Sequence, residues 1–276
     1  MKRLLQIEFI KLWNNRASKV LIIAYFVLLT SIALVAAIKF DIGFIKFHLA
    51  DQGIFNFPYI WHFNTFITAF FKLFLAIVIV SMMANEYSNK TIKQNLIDGL
   101  SKKEFILSKF LTVLTFSVIS TVFVFVVSMI LGLIYSDFNE VSIIFSDLEF
   151  LLAFFIKLMA FFSFCLFLGI LVKRSAFALG FLFLWQIIEG ITFGLLKWQA
   201  PEGVAEAVNT VLPLNAMSNL IKEPFSRLKA VKSLASEVGT TFDFDYAVHW
   251  YEVLIVLAWT FIFIYSSYKI LQKRDL

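Results

Sequence analysis

A single cysteine, Cys165, and a charged share of only 16% are the two shortages that bound this 276-residue chain. One thiol excludes an intramolecular disulfide, and because Cys165 sits within an apolar run it reads as a buried structural thiol that reports no redox compartment. No Gly-x-x-x-x-Gly-Lys-[Ser/Thr] phosphate loop occurs, and no polar segment is long enough to hold a nucleotide-binding domain. His48, His62 and His249 lack a second ligand at i, i+4 spacing and no cysteine accompanies them, so hydrogen bonding is expected of them and a metal site is not. The hydroxyl and amide side chains of the apolar runs are scattered, without a nucleophile, base and orienter set, which leaves no catalytic residue to nominate. The net charge of +5 comes without a basic patch interleaved with aromatics, so a nucleic-acid partner is not expected.

What is abundant is hydrocarbon: 61% of residues are hydrophobic and 35 are Phe, against roughly 45–50% apolar residues in soluble domains. Apolar runs recur near 20–38, 62–83, 105–134, 150–172, 176–196 and 250–270. Each suits a helix crossing a hydrocarbon core of about 30 Å, and none shows the period-2 alternation of a barrel strand. The third is long enough to tilt or to project. The expectation is an all-α integral membrane protein with about six transmembrane helices, one domain over 1–276.

Charge sets the expected orientation. With the N-terminus inside, fifteen Lys and Arg residues fall in cytoplasmic segments, among them Lys2, Arg3, Lys11, Arg16, Lys19, Lys173, Arg174, Lys269, Lys273 and Arg274. Seven fall outside: Lys39, Lys46, Lys197, Lys222, Arg227, Lys229 and Lys232. That asymmetry places both termini in the cytoplasm. The loop over 135–149 agrees, holding Asp137, Glu140, Asp147 and Glu149 with no Lys or Arg. Residues 1–19 contain Glu8 and are long for the charged start of a signal peptide despite Ala33, Ala36 and Ala37 further on. They suit an amphipathic helix at the inner interface, with Leu5, Phe9, Leu12 and Trp13 on one side and Glu8, Lys11 and Asn15 on the other.

The connection NEYSNKTIKQNLIDGLSKKEFILSKF, residues 85–110, is more structured than a tether requires. Ser88 or Asn89 can cap a short helix over 91–98, Gly99 suits the left-handed position that ends one, and Ser101 with Glu104 forms a capping-box pattern opening the third long helix. Ile92, Leu96 and Ile97 are available to pack, ringed by Lys90, Lys93, Lys102 and Lys103. The predicted result is a short helix held in an elbow over 88–104, suited to docking a cytoplasmic partner; a positively charged inner-surface helix with no docking role is the plainer alternative.

Here the chain resembles the permease subunits of ATP-binding-cassette transporters of the second, exporter-like type, including bacterial relatives linked to peptide resistance, sodium extrusion and gliding motility. The resemblance is carried by QIEFIKLWNNR at residues 6–16, by Glu86, and by Thr91, Leu96, Gly99, Ser101, Lys102 and Lys109. It departs at Lys90, where the family pattern often has Gly. It implies that 88–104 is the coupling helix, with Glu86, Thr91, Leu96, Gly99, Ser101, Lys102, Glu104 and Lys109 as coupling residues. It also implies a separate ABC ATPase that binds ATP and Mg, a second permease copy or paralogue, and residence in the bacterial cytoplasmic membrane. No cofactor is expected on this chain itself.

Lys72, Lys157 and Glu189 fall within the apolar runs, where ionisable residues are rare and often functional. Residues 157 and 189 lie equally far from the turn at Lys173 and Arg174, so they are expected to face each other or to share a polar cavity, as a structural pair or as part of a substrate path. Lys72 has no evident partner. In the long outer loop, 197–249, the prolines at 201, 213 and 224 divide short stretches, and Val204, Ala205, Val208, Val211 and Leu212 suggest an amphipathic helix at the outer leaflet; the resemblance implies a helical hairpin over about 200–222, with a solvated connector as the plainer alternative. An ion-coupled carrier or channel using Lys72, Lys157 and Glu189, and a membrane scaffold that transports nothing, are the competing functional classes.

Overall fold

The computed structural model describes residues 2–37, 39–42, 45–48, 53–228, 231 and 245–274; for residue 2 and for the helix and strand residues between 32 and 48 it describes the backbone alone. Lys229, Lys232 and the side chains of Ala33, Ala36, Ala37, Lys39, Lys46 and His48 therefore lie outside the described residues. The chain runs through α1 (Lys2–Asn14), α2 (Arg16–Ala37), a hairpin of β1 (Lys39–Ile42) and β2 (Ile45–His48), α3 (Tyr59–Ala69), α4 (Lys72–Ser88) and α5 (Thr91–Ile97). It continues through α6 (Lys102–Tyr135), α7 (Val141–Ile144), α8 (Glu149–Val172), α9 (Ser175–Gln199), α10 (Val204–Val211), α11 (Pro213–Asn219) and α12 (Trp250–Lys273).

Among the described residues that hairpin is the only sheet, and in it Lys39 pairs with His48 and Ile42 with Ile45 in antiparallel register. The all-helix expectation missed it, although charged and apolar residues alternate there with period 2. Four segments are long and apolar enough to cross a membrane: Lys102–Tyr135, Val141–Val172, Ser175–Gln199 and Trp250–Lys273. The pair α3 and α4 passes the same test when taken together, bent by 45° at its break, which suits one broken span or a re-entrant loop. α2 carries the first apolar run over 22 residues.

The run expected over 62–83 is thus divided between two helices. Phe70 and Phe71 mark the break, with neither Pro nor Gly present. The Thr65 hydroxyl donates to the Trp61 and His62 carbonyls, and Thr68 donates to those of Asn64 and Thr65. The next amides, Phe70, Phe71 and Phe74, reach three residues back rather than four. Back-bonding hydroxyls followed by tightened turns are a recognised cause of helix bending.

α8 is the hub. Of its apolar stretch 83% is buried, against 11% for α9, and it packs on α3, α4, α6, α9, α11 and α12. Its sequence is apolar on every face, which fits a helix enclosed by protein all round. Phe164 meets Phe263 of α12 at 4.7 Å between ring centroids, and at Gly169 an added Cβ would sit 3.0 Å from Met83 Cβ of α4. α9 instead turns Phe177, Phe181, Phe183, Ile187 and Ile191 outward, a surface stable only against lipid or another chain.

Candidate coupling site and the intramembrane charges

The elbow begins at Lys90, whose φ of +55° puts a side-chain-bearing residue in the left-handed region. This corrects the capping expectation: α5 has no side-chain cap, and the Ser88 hydroxyl donates back to Ala84 within α4. Glycine alone adopts positive φ without steric cost, so Lys90 is held here against that cost. α5 closes at Gly99, φ +94°, where the Leu100 amide donates to Asn95 O at 3.0 Å. Ser101 and Glu104 then form the expected reciprocal box, the Glu104 amide donating to Ser101 Oγ at 3.2 Å and the Ser101 amide to Glu104 Oε2 at 3.0 Å.

Beneath the elbow lies a buried ionic cluster. Lys109 Nζ sits 2.6 Å from Glu8 Oε2 and 2.6 Å from Glu86 Oε1. Lys11 Nζ reaches Glu86 Oε1 at 2.9 Å, and the Thr91 hydroxyl donates to Glu86 Oε2. The Lys109 side chain is fully enclosed, and those of Glu8 and Glu86 nearly so. Charges at such depth persist only when paired and hydrogen-bonded, so the cluster fixes α1, the end of α4, the start of α5 and the first turns of α6 in one arrangement.

That cluster revises the expected division of α1, which set Glu8 on the side opposite Leu12. α1 turns Glu8 and Leu12 inward and leaves Ile7, Ile10 and Trp13 exposed, so its ionic face meets protein and its apolar face is left for lipid. Phe9 packs on Phe116 of α6 at 5.6 Å.

A second clamp joins α12. The Arg274 guanidinium donates to the carbonyls of Ile170 and Leu171, the terminal acceptors of α8, and to the Tyr87 hydroxyl at 3.0 Å. Lys102 Nζ in turn donates to Arg274 O at 3.0 Å and to Gln272 O at 3.2 Å. The free carbonyls that end an α-helix need such donors. The ends of α1, α4, α6, α8 and α12 are thereby tied to the elbow.

Of the eight expected coupling residues, Glu86 and Lys109 are buried, Thr91, Leu96 and Lys102 are half-buried, and Gly99, Ser101 and Glu104 are exposed. The apolar tip is Ile97, 75% exposed, with Lys93, Gln94 and Asp98 exposed around it. Sequence reasoning named Ile97 among residues available to pack but did not single it out. Its spacing from buried Ile92 places it on the opposite face of a seven-residue helix, which was the available signal.

The intramembrane charges are arranged differently from the expected pair. Glu189 accepts from Trp185 Nε1 at 2.8 Å, from the Leu214 amide at 3.0 Å and from the Asn215 amide at 2.9 Å. It therefore holds the N-terminus of α11. Lys157 Nζ donates to Ser218 O, at the other end of α11, at 3.3 Å. The two residues do not face each other; they bracket one short helix, anion at its N-terminus and cation toward its C-terminus, the arrangement its dipole favours. To meet Glu189, α10 and α11 fold back beside α9 by ten residues from Gln199, about 15 Å. This hairpin falls within the expected 200–222. Lys72 Nζ lies 4.2 Å above the Phe161 ring centre.

At the end away from the elbow, Arg227 donates to His62 Nδ1 at 3.1 Å and stacks over Tyr59 and Tyr246. The protonated Nε2 of His62 donates to Lys222 O at 2.9 Å. His249 caps α12 with Glu252, and its Nε2 lies 2.9 Å from Asp245 Oδ2. The Ala247 amide, and then the nearby His249, hold the Asp245 carboxyl below its ordinary range. Among the described residues no group of three or more His, Cys, Asp or Glu is placed to hold a metal ion.

Apolar helices packed round an enclosed hub, with an elbow at one end and a folded-back hairpin toward the other, define the class: a multi-pass helical membrane protein. The chain belongs to the family described as ABC-2 family transporter protein, whose model matches residues 5–276. It is a permease subunit of an ABC transporter, from a family whose members typically work with a separate ATPase subunit. Among curated proteins no match to the chain is found.

Proposed function

We propose that this permease forms the substrate pathway of an exporter in the bacterial cytoplasmic membrane, paired with a second permease copy or paralogue and driven by a separate ABC ATPase that binds ATP and Mg. Six spans cross the bilayer in this reading: α2, the bent pair α3 and α4, α6, α8, α9 and α12. Both termini and the elbow over 88–104 face the cytoplasm, in keeping with the excess of Lys and Arg at that end. The elbow receives the ATPase. Ile97 and its exposed polar neighbours make the contact, while Glu86, Thr91 and Lys109 carry the motion inward to α1, α4 and α6.

The observation that carries this reading is the buried Glu8–Lys109–Glu86 cluster beneath an exposed apolar tip. A tether needs neither; a lever needs both a rigid base and a contact surface. The test is affinity purification in mild detergent of the native chain and of Ile97→Asp. An ATPase that copurifies with the native chain and is lost with the variant, at equal abundance, is the expected result. A well-folded native preparation that brings down no ATPase refutes it. The carrier alternative gains no support from Glu189, whose carboxylate already accepts from three N–H donors that anchor α11.

A further inference from the structure

Lys72 and Lys157 line one cavity of about 300 Å³ between α4, α8, α9 and α11. Among the described residues neither ammonium has a carboxylate within 4.0 Å. Lys157 is 4% exposed and donates to the Ser218 carbonyl at 3.3 Å, and Lys72 lies over the face of Phe161, with Gln186 also lining the cavity. Glu189, the nearest acid by depth, is committed to α11. Two such ammonium groups in apolar surroundings carry a desolvation cost that an anion between them would offset.

Three further observations narrow the anion. Phe66, Phe70, Leu73, Leu182 and Phe183 supply apolar walls, and Phe70, Leu73 and Phe183 are themselves exposed, so the cavity opens sideways toward hydrocarbon. Lys72 lies sixteen residues from Ser88, and Lys157 sixteen from Lys173, about 24 Å from the elbow end in each case. In a core of about 30 Å that depth is just beneath the headgroups of the leaflet away from the elbow. A volume of 300 Å³ accommodates a headgroup and the start of its chains.

We infer that this cavity binds the phosphodiester head of an anionic amphiphile, taken from the bilayer through the side opening, with its tail left against Phe70, Leu73 and Phe183. A zwitterionic head brings its own cation against two lysines and is disfavoured. The inference concerns the chain alone and stands whether or not an ATPase is found.

The test is native mass spectrometry of the purified full chain released from nanodiscs of equal phosphatidylglycerol and phosphatidylcholine. The native chain is expected to retain phosphatidylglycerol selectively. Lys72→Met, which removes no hydrogen bond from the fold, should lower that preference about tenfold, the equivalent of one charge-assisted contact. Lys72→Arg should keep it, and Lys157→Met should lower it likewise. Excess inorganic phosphate should leave the bound lipid in place. A native chain without lipid preference overturns the proposal, as does a Lys72→Met variant that keeps the native preference. Displacement of the lipid by inorganic phosphate would assign the cavity to an aqueous anion and also overturn it.

Discussion

Replacing Lys109 by methionine separates a charge-held elbow from one held by packing. Its ammonium is buried between Glu8 Oε2 and Glu86 Oε1, each at 2.6 Å. Without it two enclosed carboxylates are left facing one another, relieved by the Thr91 hydroxyl and by Lys11, whose side chain is 39% exposed. Removing one partner of a buried ion pair costs about 3–5 kcal/mol, whereas a solvent-screened pair such as Lys11 with Glu86 contributes about 0–1 kcal/mol. Lys109→Met is therefore expected to destabilise by several kcal/mol and Lys11→Met hardly at all, read from reversible denaturant unfolding in mixed micelles. The triple variant Glu8→Leu, Glu86→Leu, Lys109→Met removes the buried charges together. It should return to within about 2 kcal/mol of the native chain, since apolar residues of similar volume commonly replace a buried ionic triad without loss. It should still fail to couple ATP hydrolysis to transport. Equal stabilities for Lys109→Met and Lys11→Met, or a triple variant as damaged as Lys109→Met, would refute the reasoning.

Lys90→Gly relieves a positive φ and should stabilise the elbow by about 1 kcal/mol in the same unfolding assay. Exchanging the charges by Lys157→Glu with Glu189→Lys would aim a carboxylate at the Ser218 carbonyl and an ammonium at the Leu214 and Asn215 amides. Both fail, so hydrogen exchange over 204–219 should rise sharply rather than recover as it would for a simple salt bridge. Thr65→Val with Thr68→Val removes the back-bonding hydroxyls; spin labels at the two ends of α3 and α4 should move apart by about 3 Å if the 45° bend straightens. Gly132→Ala drives a Cβ to 2.2 Å from Phe57 Cζ, and a cost of about 1–3 kcal/mol is expected from the displaced ring, seen as a lower unfolding midpoint.

Helix existence was legible because it follows from composition alone. A run of twenty apolar residues has no other stable form in lipid, and Ser101 and Glu104 announce the start of α6 by local chemistry. Three features were not legible, each for its own reason. The bend depends on which carbonyl Thr65 and Thr68 choose, which hydropathy does not record. Glu8 was set on the face opposite Leu12 because amphipathic patterning distinguishes polar from apolar residues but cannot say that Glu8 will be covered by Glu86 and Lys109, some 75 to 100 residues away. Lys157 and Glu189 were expected to meet because equal depth was the only coordinate available. Both instead found backbone termini of α11, a partner invisible to any count of side-chain charges. At Lys90 a departure in sequence marked a strained backbone position whose geometry only the fold supplied.

The enclosure of α8 has a consequence for biogenesis. Its flank is closed by Phe263 and its neighbours on α12, yet α8 is complete at Val172 and α12 begins only at Trp250. Between those points of synthesis the hub helix stands in the bilayer with an uncovered seam of Phe164 and Phe167. The seam is comfortable in lipid but equally open to the wrong helix. A chain interrupted there presents a surface that membrane proteases and insertases can tell apart from the finished protein, so the last helix to arrive acts as a completion mark.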